Sequence, residues 1–326
     1  MSPLRAINNP VSPFEDPFAS TGLDAANLYV DPAIPGGGGA GGLDWGGNRG
    51  VWGGGTGYSD VIDYVTISTT GDAVDFGNLT DARGSLAACS NSSRGCFTYG
   101  YDGSNINIID YITIASPGNA TDFGDASVTR RGVGCCSNDT RGVMAGGWVS
   151  AASNVIDYIT IASTGNATDF GDVKTARSDI GACNNATRAC FGGGYTNSNV
   201  IGYVTISSTG NATDFGDLTV ARADISATSN ASRGVWGGGN DGSNSDVIDY
   251  VTISSTGNAT DFGNLTQARR LHGGACCNGT VAVFGGGSTP SSVSTIDYIF
   301  VATPGDATDF GELSVARSGT GACSGD

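Results

Sequence analysis

The chain repeats itself six times, and that period rules out most folds open to a sequence of this length. Aligned on Ile-Asp-Tyr, a tyrosine recurs at Tyr64, Tyr111, Tyr158, Tyr203, Tyr250 and Tyr298, at spacings of 47, 47, 45, 47 and 48 residues. The phenylalanine of Asp-Phe-Gly falls at Phe76, Phe123, Phe170, Phe215, Phe262 and Phe310, with the same five spacings. An arginine follows seven residues later each time: Arg83, Arg130, Arg177, Arg222, Arg269 and Arg317. Three markers in one register define the repeat.

Each copy holds four strand-like runs. A small-residue run such as Asp179–Cys183 leads through a polar turn to an apolar run ending in glycines, as in Gly234–Gly239. A variable loop follows, then Val247–Ile253, whose β-branched and aromatic residues favour strands. A Gly-Asn turn leads to the last run, Asp261–Leu265. No stretch shows a 3.6-residue apolar period, so helix is minimal. Four strands per repeat of this length predict an all-β, six-bladed β-propeller. The first blade lacks its innermost strand and the chain ends with a spare one. Pairing Ser318–Ser324 with Arg49–Gly55 therefore closes the ring and removes two edges.

The order of features resembles kelch repeats: an apolar run, a glycine doublet, an Asp-Tyr strand, an aromatic on the fourth strand, then Ala-Arg. The doublets are Gly53-Gly54, Gly146-Gly147, Gly192-Gly193, Gly237-Gly238 and Gly285-Gly286, and the second copy departs with Tyr99-Gly100. The fourth-strand aromatic is Phe where kelch repeats carry Trp. The resemblance spans residues 46–326 and implies a kelch-like propeller domain there, with no function attached. Residues 157–172, Asp-Tyr-Ile-Thr-Ile-Ala-Ser-Thr-Gly-Asn-Ala-Thr-Asp-Phe-Gly-Asp, are similar to repeats in virion proteins of marine and cyanobacterial tailed phages. That likeness implies a structural or host-contacting virion protein, assembled in a host cytoplasm, with other virion proteins as partners.

Charge narrows the partners. The net charge is −16, Lys174 is the only lysine and His272 the only histidine. Such a surface repels phosphate backbones and anionic lipid, so direct nucleic-acid binding is not expected. No secretory signal and no run of eighteen apolar residues is visible, so no membrane insertion is expected either.

The regular motifs read as structure. The glycine runs lack the Lys-Ser/Thr of a phosphate loop, and Asp-Phe-Gly, six times over, lacks the other kinase elements. Eleven of the fourteen arginines sit at two repeat positions, the six above and Arg49, Arg94, Arg141, Arg188 and Arg233, with Val281 at the remaining place. Their expected role is bidentate bonding between blades, to strand carbonyls and to the carboxylates of Asp75, Asp122, Asp169, Asp214, Asp261 and Asp309. Five of nine cysteines, Cys89, Cys136, Cys183, Cys276 and Cys323, share one strand position, with Thr228 in the other copy. They read as core thiols. Cys89/Cys96 and Cys183/Cys190 flank hairpin turns and are placed to face each other. The Asn-x-Ser/Thr sequons at Asn119, Asn166, Asn211 and Asn258 read as turn chemistry. No Ser-His-Asp set or metal-ligand spacing stands out, so no enzyme activity, cofactor or metal is expected.

Function then falls to the irregular parts. The copies differ most in the loop between the glycine strand and the Asp-Tyr strand. Tyr58, Tyr101, Trp148, Tyr195 and Asp241 lie there and are the candidates for touching a partner protein or a host-surface glycan. Residues 1–45 are not repeat. They hold six of nine prolines, end in Gly36–Gly42 and carry Phe14, Phe18 and Tyr29 without a core of their own. They read as an extended arm that anchors the propeller to a larger assembly. Tail or fibre attachment with host binding is the leading expectation. Capsid decoration and a cellular kelch-type interaction scaffold are the alternatives.

Overall fold

The computed structural model describes residues 47–270 and 274–325. The arm residues Phe14, Phe18 and Tyr29, and His272, lie outside the described residues. The described chain forms six four-stranded antiparallel sheets arranged as the blades of a propeller. In the second blade the strands are Ala87–Ser90, Arg94–Tyr101, Asn105–Thr113 and Thr121–Asp125, from the axis outward. The first blade takes its innermost strand, Gly321–Gly325, from the chain's end. It pairs with Arg49–Gly53 in the register Val51↔Cys323, while Val51 faces Tyr64 on the other side. The expected closure is therefore present, and Arg49–Gly53 is flanked on both sides.

Packing runs between blades. Each of six apolar clusters draws on two neighbouring blades: Ile156 and Phe170 of the third meet Ile180, Phe191 and Val204 of the fourth, for example. Small residues make that approach possible. The indole of Trp52 lies so close to Gly285 that an added Cβ would meet its Nε1 at 2.7 Å, and Trp236 holds the same relation to Gly192. Both indoles also donate to a neighbouring blade's carbonyl, at Gly274 and Gly181.

The outer edge is covered as well. The turn before each outer strand folds onto the outer strand of the preceding blade. Gly118 N bonds Phe76 O at 2.7 Å, Ala120 N bonds Asn78 O at 2.8 Å, and Asn78 N donates to the Asn119 side chain. The same contacts recur with Asn166, Asn211 and Asn258, and with Asp306 and Asp72 in the other two copies. The Asn turns thus satisfy strand edges that would otherwise be unpaired. They also explain Asp-Phe-Gly: Gly77 sits at φ +147°, and a side chain there would collide with the incoming Gly118 backbone.

One expectation fails. Asp75, Asp122, Asp169, Asp214, Asp261 and Asp309 are exposed on the outer strands and do not hold the arginines. The partner is the aspartate of the third strand in the next blade. Arg83 pairs with Asp110 (2.8 Å), Arg130 with Asp157 (2.6 Å), Arg222 with Asp249 (2.9 Å), Arg269 with Asp297 (3.0 Å) and Arg317 with Asp63 (2.6 Å). The reason is burial. The third strand is covered by the neighbouring blade, and its aspartates are wholly enclosed, whereas the outer strand turns its aspartate to solvent. Burial pushes the Asp249 carboxyl up, and pulls Arg222 down, from their ordinary values.

The second arginine set works differently. Arg49, Arg94, Arg141, Arg188 and Arg233 each stack on the tyrosine of their own blade, 4.4–4.8 Å from the ring centroid. Each also donates to a carbonyl of the next blade, such as Ile114 O from Arg49. That tyrosine meets the outer-strand phenylalanine edge-on, as Tyr64 does Phe76 at 5.9 Å. In the sixth blade Val281 leaves no guanidinium, and Phe300, opposite it in register, meets Tyr298 edge-on at 5.8 Å instead.

These two aspartate positions separate cleanly by mutation. Asp249→Ala leaves Arg222 buried without its carboxylate and should cost about 3–5 kcal/mol of unfolding free energy. Asp261→Ala, on the exposed face, should leave the denaturant midpoint unchanged. Equal effects would return the outer-strand aspartates to the joint.

Candidate functional site

The loops between second and third strands stand on a rigid base. Arg317 donates to Gly54 O (3.1 Å) and Val61 O (2.6 Å), the two stems of the first blade's loop, and Arg130 does the same at Gly146 and Val155 (both 2.7 Å). Arg177 also bonds both stems of its loop, at Gly193 O and Val200 O, so at these three joints the buried arginine that joins two blades also clamps the loop above it. The glycine doublet supplies the turn at each stem, with Gly54 at φ +70°.

On this base the structure gathers the four candidate aromatics in neighbouring pairs. Tyr58 of the first blade meets Tyr101 of the second at 6.0 Å between centroids, tilted by 52°. Trp148 of the third meets Tyr195 of the fourth edge-on at 5.8 Å. Arg131 connects the two pairs: its guanidinium lies 4.6 Å over the Tyr101 ring, and its backbone exchanges two hydrogen bonds with Trp148. Asn105 adds a further tie, donating to Trp148 O (3.0 Å) and Val149 O (2.7 Å). The result is an arc of four rings and one cation across blades one to four. Tyr58 and Tyr195 are about half exposed, at 48% and 55%, so the arc offers ring faces to solvent.

Asp241 does not join it. It lies on the fifth blade's loop and accepts hydrogen bonds from Ser243 within that loop. The fifth and sixth loops are polar, and Arg270 there bonds Asn244 and reaches Asp224 at 3.7 Å. Arg131 and Asn105 are the residues missed by sequence reasoning. The readable signal for Arg131 was the tandem Arg130-Arg131, which puts a second arginine outside the repeat positions.

The axis is less suited to a ligand. Its cavity of about 80 Å³ is lined by Ala88, Cys135, Ala182, Ala227, Ala275 and Ala322, with a polar girdle at one end. There Ser324 Oγ donates to Cys277 O, Ser90 Oγ to Ser324 O, Ser137 Oγ to Ser90 O and Asn184 Nδ2 to Ser137 O, all at 2.6–2.7 Å. These side chains are engaged in joining blades. A volume this small holds a few waters, against the several hundred Å³ of a usual small-molecule site.

Cys89 and Cys96 are direct register partners, as are Cys183 and Cys190, and all four are thiols buried beside the axis. The Cys89 thiol is held well above its ordinary value by its bond with Cys135 in the next blade and by burial, and burial pushes Cys277 up to about 12. No three His, Cys, Asp or Glu among the described residues are placed to hold a metal ion. No protein-family model matches the chain, and no curated protein matches it.

The thiols give a direct check on this geometry. Raised values keep Cys89, Cys96, Cys136, Cys183, Cys276, Cys277 and Cys323 protonated and unreactive through mildly alkaline pH. In the native protein iodoacetamide should modify Cys135, the one partly exposed thiol, well before the others, with the rest reacting only after denaturation. Peptide mass spectrometry reads the order. Early modification of Cys89 or Cys183 would show that the inner strands are open to solvent.

Proposed function

We infer that the protein is a non-enzymatic binding module of a tailed-phage virion, docked by residues 1–45 and contacting a host-surface glycan or protein through its aromatic arc. The observation that carries the binding reading is the joined set Tyr58, Tyr101, Arg131, Trp148 and Tyr195. Rigid, partly exposed aromatic rings bury large apolar area at low entropic cost and keep polar edges for hydrogen bonds. Sugar rings and protein side chains both suit such a surface. The virion reading is supported by the likeness of residues 157–172 to phage virion repeats, and the tail or a fibre is the placement that matches a host contact. The five aspartates buried at the joints are all engaged by arginine, which supports binding over catalysis.

Capsid decoration shares the arm and the propeller and differs only in where the arm docks. A cellular interaction scaffold would use the same loop face without particle assembly.

Two measurements test the reading. Trp148→Ala and Tyr195→Ala should each weaken attachment of the protein to fixed host cells or an arrayed glycan by about tenfold or more, with the unfolding midpoint unchanged. Asp241→Ala, outside the arc, should leave attachment as it was. Deleting residues 1–42 should abolish incorporation into particles while leaving cell attachment by the free propeller intact. Normal incorporation of the truncated chain would remove the anchoring role, and full attachment by both aromatic variants would remove the arc.

A further inference from the structure

Five of the six blade joints are closed by the same triad, and the sixth lacks two of its members. At five joints an arginine meets the third-strand aspartate of the next blade, and a Ser or Thr three residues before the arginine caps the same carboxylate. Thr80 bonds Asp110, Ser127 bonds Asp157, Thr219 bonds Asp249, Thr266 bonds Asp297 and Ser314 bonds Asp63. Between the third and fourth blades the arginine is Arg177, but the aspartate is replaced by Gly202 and the hydroxyl residue by Lys174, the chain's only lysine.

The consequence is a buried cation facing an empty carboxylate position. Arg177 is 3% exposed. Its guanidinium bonds the carbonyls of Gly193, Val200 and Phe191, and no carboxylate among the described residues lies within ion-pair distance of it. Asp214, the register partner of Gly202, faces solvent. Burial alone pulls Arg177 down to about 10, so it remains charged at neutral pH. A buried charge without a counter-charge is strongly unfavourable, and carbonyl dipoles offset only part of that.

A side chain could start from Gly202 without a clash. A Cβ on Gly202 would sit 3.5 Å from Thr213 O, 3.6 Å from Arg177 Nη2 and 3.8 Å from the Ala212 methyl, all ordinary contacts. Gly202 has no left-handed backbone to explain its presence. The five intact joints show what fills the remaining volume: one CH2–COO− group, bound to the guanidinium.

We propose that the joint between the third and fourth blades is a binding site for a small carboxylate anion, with Arg177 as the buried ligand and Lys174 at the mouth. Acetate is the missing aspartate side chain with one added hydrogen, so it carries the group and the charge that the other five joints place against their guanidinium. Lys174 is exposed on a flexible stem and supplies a second positive charge where the other joints have a neutral hydroxyl. This site is independent of the aromatic arc as a contact surface, although Arg177 holds both stems of the Tyr195 loop. A free metabolite acid and a carboxylate on a partner's side chain share this chemistry, and free acetate tests whether a small anion suffices.

Thermal unfolding of the full chain at constant ionic strength and neutral pH decides it. Sodium acetate or formate should raise the midpoint saturably, by about 2–4 °C, whereas the bulkier carboxylate pivalate should not. Gly202→Asp should raise the midpoint without added anion and lose the acetate response. Lys174→Thr should keep the response but need a higher acetate concentration to reach it. Should Gly202→Asp not fold, the comparison of acetate with pivalate on the unaltered chain stands by itself. No shift with acetate overturns the proposal. So does an equal shift with acetate and pivalate, or an undiminished response in Gly202→Asp. A response to partner-protein carboxylates alone would also appear as no acetate shift, and would count against a free-anion site.

Discussion

Each blade joint turns on one guanidinium buried between two sheets. It reaches from the end of one blade's outer strand into the next blade, where it binds main-chain carbonyls, at the Arg130, Arg177 and Arg317 joints those of both loop stems, and at five joints a buried aspartate. Buried ion pairs are weak sources of net stability, because desolvation offsets most of the attraction. Their value here is geometric. A planar fork that must satisfy two carbonyls and a carboxylate allows one register between neighbouring blades. Where the same fork holds both stems of the variable loop, as Arg130, Arg177 and Arg317 do, loop sequences can change without moving the base on which they stand.

The rest of the ring follows from the need to leave no strand edge open. Gly321–Gly325 completes the first blade on the inside, and the Gly-Asn turns cover the outer strands on the outside. That covering dictates the composition. A backbone arriving at Gly77 excludes any side chain there, and an indole lying on Gly192 or Gly285 does the same on the inner strands. A glycine-rich sequence and a closely packed ring are thus the same fact seen at two scales. The axis closes almost entirely, and the loops are left as the surface most free to differ between blades.

The period, the strand count and the closing strand were legible in the sequence because each is a matter of counting along the chain. The carboxylate partner was not. Asp63 and Asp75 recur with nearly the same regularity, face each other in register, and carry the same chemistry. Only the three-dimensional position separates them, since one is enclosed by the neighbouring blade and the other meets solvent. The aromatics of the loops could be named from sequence, yet their pairing across blades requires ring geometry. The role of Arg131 was not legible because it depends on the Tyr101 ring and the Trp148 main chain, which only the fold brings beside it. The arm assigned to residues 1–45 rests on composition alone.

A sixfold repeat also makes its own departures informative, provided that repaired departures are set aside. Val281 is one: the missing guanidinium is replaced by Phe300 across the strand pair, which covers Tyr298 by an edge-on contact. Tyr99, in place of a doublet glycine, is another, since its hydroxyl bonds both Asp157 and Arg130 and strengthens a joint already present. Gly202 with Lys174 is not repaired within the described chain, and the exposed ring faces of Tyr58 and Tyr195 have no part in the arginine joints. These unrepaired departures fall in the first four blades, and the Arg177 joint lies directly beneath the Tyr195 loop. A ring shaped only by its own stability has no reason to leave a buried cation unmatched beside its most aromatic surface. That coincidence, rather than any single motif, puts the proposed contact surface and the proposed anion site on neighbouring blades of an otherwise even ring.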